Sequence, residues 1–135
     1  MKLLTLTILF VALGFSQSND CDSLAKCKKA LKTSRNSSLA HYRIAELYFL
    51  QANYIDAINQ FRESLAGDLD PKWTEVCAHI NMGKIYDATN QRARAVNEYR
   101  LALRTKDDTR GALSEANKYI EAPYSPAAKE ASPVK

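Results

Sequence analysis

The sequence predicts an all-α chain built as a helical-hairpin solenoid, two full hairpins flanked by a half-unit at each end. Two observations carry that prediction. Apolar residues recur at i, i+3, i+4 and i+7, the stripe of an amphipathic helix, and the whole stripe–break–stripe pattern returns further along the chain. A third observation bounds it: 135 residues, 46% apolar and 25% charged, describe one globular domain rather than a fibrous or disordered chain.

The first element stands apart from the pattern. Met1-Lys2 precedes "LLTLTILFVALGF", an uncharged run from Leu3 to Phe15, followed by the small polar residues Ser16 and Ser18. A basic start, a short apolar run and small residues at alternate positions predict a secretory signal peptide over 1–18, cut after Ser18, with Gly14 as second choice. The run is shorter than the roughly 20 residues a membrane span needs. No stable membrane anchor is expected after cleavage, and the residues before Cys21 lack a lipoprotein pattern. The mature chain would carry +3, the +4 of the whole sequence less Lys2.

The helical domain is expected over 19–121. Ser23, Leu24, Cys27, Ala30 and Leu31 form the tail of one unit. His41, Ile44, Ala45 and Tyr48 open the next, Asn53 breaks it, and Ala57, Ile58, Phe61, Ser64 and Leu65 close it. The second hairpin repeats this as His79, Met82, Gly83 and Tyr86, then Asn90-Gln91 as a turn, then Ala95, Val96, Tyr99, Ala102 and Leu103. Leu113, Ala116, Asn117 and Ile120 begin one more unit. The Ala30 position recurs at Ser64 and again at Ala102. The second interval exceeds the first by about one helical turn, which preserves facing. That excess is placed as an added first turn on a helix running from Pro71 to Ala88, with Asp70 as N-cap and Gly67 as the C-cap of the preceding helix. Gly83 is read as a helix contact that tolerates alanine but not leucine. From Ala122 the chain has three of its four prolines and no apolar period, which predicts a flexible tail over 122–135.

A period of about 34 residues made of helix–turn–helix units resembles the tetratricopeptide repeat (TPR) family, over about residues 22 to 121. Gly83, Tyr86, Ala95 and Ala102 stand where that family keeps a glycine, a tyrosine and two alanines; Tyr48, Tyr54, Ala57 and Phe61 match in the first hairpin. The chain departs from the pattern at His41 and His79, which replace a frequent tryptophan, at Ala45 in place of glycine, and at Arg92 in place of an aromatic. The closing prolines are missing. "DPKWTEVCAHINMGKIYD" is similar to small exported bacterial TPR proteins.

No residue set calls for catalysis. His41 and His79 occupy equivalent positions without a carboxylate or thiol on their stripe, so both are expected to be structural. No CxxC or paired-histidine spacing supports a metal, and no cofactor is expected. Three cysteines, Cys21, Cys27 and Cys77, allow at most one bridge and leave one thiol. Within one helix Cys21 and Cys27 would sit about 9 Å apart along the axis, so a bridge between them requires Cys21 outside the helix. Cys27 and Cys77 are otherwise read as packing thiols. Basic residues at scattered helical positions describe a solvated outer face, not a nucleic-acid surface. Asn36-Ser37-Ser38 is a glycosylation sequon that matters only in a eukaryotic secretory pathway.

At 100° per residue, Tyr42, Arg43, Glu46 and Phe49 point away from the first core stripe, and Trp73, Ile80, Asn81 and Lys84 from the second. In the family resembled, that face lines the concave groove that receives a peptide or helix. The resemblance therefore implies a non-enzymatic scaffold whose partner is a protein or peptide, exported to a bacterial envelope. The opposing expectation is that adjacent first helices pack on each other and consume this face. A structural subunit that self-associates through the same faces is the alternative function.

Overall fold

The computed structural model describes residues 21–126, so the expected signal peptide and the end of the tail lie outside the described residues. Six α-helices occur there: α1 Leu24–Thr33, α2 Ser38–Leu50, α3 Tyr54–Leu65, α4 Trp73–Ala88, α5 Arg92–Arg104 and α6 Ala112–Glu121. A 3-10 turn, Thr109–Gly111, leads into α6. Among the described residues there is no strand, and no helix is long and apolar enough to cross a membrane.

Packing follows chain order. α2 lies against α3 and α4 against α5; α1, α3 and α5 each also meet the helix that follows, and α2, α4 and α6 touch in sequence. The α2–α3 and α4–α5 connections are alike in detail. Ala52 (φ 56°) and Asn90 (φ 58°), at equivalent places in the two connections, both adopt the left-handed conformation, which asparagine tolerates better than alanine.

The apolar stripes meet in one main core. Ala45, Ala57, Phe61, Gly83, Ala95, Tyr99 and Ala102 are buried there, alanines and glycine admitting the rings of Phe61 and Tyr99. Buried residues make up more than half of α4 and face all sides, as a helix surrounded by four others requires. A smaller cluster of Cys21, Cys27, Ala40 and Ile44, with Leu24, Ala30 and Leu31 against it, fixes α1 to α2. Cys21 lies before α1 and is bridged to Cys27, the geometry that their spacing demands. Cys27 is therefore half of a disulfide and not a packing thiol, and Cys77 is the free cysteine among the described residues.

The junction between hairpins differs from expectation. α4 starts at Trp73 rather than Pro71, and its N-cap position is Lys72 rather than Asp70. Gly67 does not cap α3 in a left-handed conformation. A Cβ there would lie 2.5 Å from both Asn36 O and Ser38 Oγ, so its glycine permits two loops to touch. That contact is sealed by hydrogen bonds. Ser38 Oγ donates to Ser64 O (2.6 Å) and accepts from Leu69 N–H (2.8 Å), while Ser64 Oγ donates to Ser38 O (2.8 Å).

Candidate functional site: the outward face of α2 and α4

The residues expected on one face divide into groups. Tyr42 and Ile80 are buried between helices and line no open surface. The Tyr42 ring stands edge-on to Phe61 (5.5 Å between centroids) and Trp73 (5.1 Å), and its hydroxyl accepts from Asn81 Nδ2 at 3.0 Å. Burial, with the charge of Glu46 added, holds its phenol well above the ordinary value. Packing between α2 and α4 consumes this part of the face, the outcome that the opposing expectation describes.

Trp73 forms the second group. It is partly buried against the core, and its ring lies between two guanidinium groups, Arg43 at 5.6 Å and Arg110 at 5.7 Å. Contacts of this kind are worth about 0.5–1 kcal/mol each at exposed sites. The ring is half-buried against the side of α2 and α4. Trp73→Ala is expected to cost about 2 kcal/mol of stability, below the about 3–5 kcal/mol of a fully buried tryptophan. Urea unfolding checks this; unchanged stability with loss of partner binding would mean that Trp73 serves a partner rather than the fold.

Arg43, Glu46, Phe49 and Asn81 make the third group, and the structure brings them together. They line a groove of about 550 Å³ with Cys21, Asp22, Leu47 and Leu50. Leucines and phenylalanine provide the apolar lining; Asp22, Arg43, Glu46 and Asn81 supply polar groups, the mixture that recognition pockets use. Arg43 Nη1 donates to Glu46 Oε2 at 2.8 Å, one turn apart on α2. Leu50 is 80% exposed at the end of that helix.

Lys84, the remaining member, sits beside this groove in a cage. Its side chain is 16% exposed, pairs with Glu115, and lies over the rings of Tyr119 (5.5 Å) and Tyr124 (5.7 Å). Next to it, Asp87 has a fully buried side chain. Arg92 Nη1 donates to both its oxygens at 3.1 Å, Tyr99 Oη to Oδ2 at 3.0 Å, and the Tyr124 N–H to Oδ2 at 2.8 Å. Arg92 also donates to Tyr119 O and Ile120 O at 2.8 and 2.7 Å, satisfying carbonyls at the end of α6. One carboxylate thus ties α4 to α5 and, through Arg92, to α6.

Sequence reasoning misses that hub and the part played by Tyr119 and Tyr124. A signal is present. The first hairpin carries Phe49, Tyr54 and Phe61 at the places where the second carries Asp87, Arg92 and Tyr99. An aromatic contact, Phe49–Tyr54 at 6.1 Å, is exchanged for an ion pair, and the third ring gains the hydroxyl that the carboxylate binds.

The histidines do equivalent work on the other side. His41 Nδ1 lies 2.9 Å from Gln60 Oε1, and His79 Nδ1 lies 2.8 Å from Glu98 Oε2. Each pair bridges the two helices of its hairpin with the same sequence spacing. Burial raises the Cys77 thiol above its ordinary range, which disfavours the reactive thiolate. Among the described residues no group of three or more His, Cys, Asp or Glu could hold a metal ion.

No protein-family model matches the chain, and no curated protein or solved structure matches it either.

Proposed function

We propose that the chain is an exported, non-enzymatic TPR-like solenoid that binds a protein or peptide partner along the face of α2 and α4. The observation that carries this reading is the groove beside Phe49, apolar along Leu47 and Leu50 and edged by Arg43, Glu46 and Asn81. The equivalence of His41–Gln60 with His79–Glu98, and of Ala52 with Asn90, supports a true repeat. It also accounts for both histidines as helix-to-helix contacts. Export rests on the pattern of residues 1–18; the Cys21–Cys27 bridge agrees with an oxidising compartment. The partner is a peptide segment rather than nucleic acid, because the groove carries carboxylates from Asp22 and Glu46 beside its one arginine.

Selection of displayed random peptides on the full chain tests the reading. Peptides enriched on the wild type are expected to be lost on Leu50→Glu, which places a charge in the groove without disturbing the core. Absence of enrichment, or equal enrichment on Leu50→Glu, counts against it. A specific observation favours self-association as the second reading: Leu50 and Ile55 are 80% and 77% exposed near the same end of the α2–α3 pair. Molar mass measured at two concentrations separates the two, since a self-associating subunit would grow heavier and Leu50→Glu would reverse it.

A further inference from the structure

The chain does not leave the molecule after α6. Ala122 is extended (φ −136°, ψ 131°), as a residue before proline prefers, and Pro123 directs Tyr124 back across the face that carries Lys84 and Phe49. The Tyr124 ring stands edge-on to Tyr119, 5.4 Å between centroids and 89° between planes. It lies tilted against Phe49 at 6.5 Å, and the Lys84 ammonium sits 5.7 Å from its centroid. Its backbone N–H is held by the buried Asp87 carboxylate at 2.8 Å. Residues from α2, α4 and α6 thus form one socket for an aromatic side chain and one acceptor for the amide beside it. The residues expected to be a free tail are, as far as Pro126, outside any helix and in part packed.

Two properties suit this socket to recognition. Its polar contact is to a main-chain N–H, which any extended peptide presents. Its apolar contacts are to a ring, with the cation–π geometry that favours an aromatic over an aliphatic side chain. Phe49 is common to the socket and to the groove of about 550 Å³, so a longer segment with its aromatic residue in the socket has adjoining space to fill.

We propose that this site recognises an extended peptide bearing an aromatic residue, and that Pro123-Tyr124-Ser125 occupies it in cis as a built-in competitor. The inference rests on the reading of this face as a peptide-binding surface. A tethered segment acts at an effective concentration on the order of millimolar. A partner must therefore add contacts in the adjoining groove to displace it. Release of the segment also uncovers Asp87, Lys84 and Tyr119 together, so occupancy by the chain itself sets the threshold for binding.

The test uses the full chain, wild type and Tyr124→Ala, titrated with the synthetic peptide Glu-Ala-Pro-Tyr-Ser-Pro up to millimolar concentration. Backbone amide resonances of Phe49 and Asp87 report occupancy, so weak binding is visible. Tyr124→Ala lies outside every helix, and an unchanged far-ultraviolet spectrum verifies its fold. Saturable shifts are expected on Tyr124→Ala at a concentration at least ten-fold lower than on wild type. The same peptide with alanine for tyrosine should give none. Equal titration of both proteins, or no shifts on Tyr124→Ala, overturns the proposal. Peptides selected on the groove separate this failure from failure of the underlying reading. If they bind wild type and Tyr124→Ala equally, the face binds peptides without a competitor in cis; if no peptide binds either protein, the function itself is refuted.

Discussion

Asp87→Ala is expected to destabilise the fold by about 3 kcal/mol, read from urea unfolding. The carboxylate accepts from Arg92, Tyr99 and the Tyr124 amide at 2.8 to 3.1 Å with its own side chain fully buried. Removing one partner of a buried pair costs about 3–5 kcal/mol, because the other charge is left uncompensated. Here the Arg92 side chain is 36% exposed and regains water, which puts the loss at the low end of that range. The Tyr99 hydroxyl is buried without such relief, since its ring is wholly enclosed. Asp87→Asn retains an acceptor and should fall between the wild type and Asp87→Ala. A loss below about 1 kcal/mol for Asp87→Ala, no more than one ordinary hydrogen bond contributes, would mean that helices α4, α5 and α6 do not meet through this residue.

Gly83→Ala is expected to destabilise too, by about 1–2 kcal/mol, and Gly83→Leu by about 3 kcal/mol or more, through overpacking. Spacing alone implies that alanine would be mild, and alanine gains about 1 kcal/mol of helix propensity over glycine. The structure removes that tolerance. A Cβ on Gly83 would fall within 2.8 Å of three ring atoms of Tyr99. The ring cannot swing away, because its hydroxyl is fixed to Asp87 at 3.0 Å. In the first hairpin the equivalent pair is Ala45 and Phe61, where no hydroxyl fixes the ring and a methyl group is accommodated. Unfolding by urea at constant m-value is the measurement. Equal or greater stability of Gly83→Ala would contradict the close approach of α4 and α5.

How far these features can be read in advance depends on what periodicity reports. A stripe such as His79, Met82, Gly83 and Tyr86 reveals that a helix exists and which side it buries. The helices, the break at residue 53 and the turn at 90–91 are legible for that reason. The condition that Cys21 stand outside α1 to reach Cys27 is legible from helix rise alone. Periodicity does not report what covers the opposite side. It assigns Tyr42 and Ile80 to an open face that the α2–α4 contact closes, and it gives no sign that Arg43 and Arg110 flank the Trp73 ring. Gly67 reads as a cap because it follows a helix, yet its role is a contact with Asn36 and Ser38, far back in the chain. The left-handed Arg110 (φ 57°) ahead of α6 has no glycine or asparagine at its position to announce it. Prolines and the missing apolar period after Ala122 argue against a helix, and as far as Pro126 none is present, but composition cannot show that an extended segment docks. Tyr124 is hidden by that gap.

The central claim is that the face bearing Phe49, Leu50 and Asn81 is where a partner binds. Calorimetric Kd values for one selected peptide, measured on the wild type, Leu50→Glu and Arg100→Glu, test it most directly. Leu50 lines the groove, whereas Arg100 is exposed on α5. Both substitutions leave the buried core intact. Leu50→Glu is predicted to weaken Kd at least ten-fold, equivalent to about 1.4 kcal/mol, and Arg100→Glu to leave it within two-fold of wild type. Loss of binding on Arg100→Glu with Leu50→Glu unaffected would place the partner on the outer helices and contradict that claim.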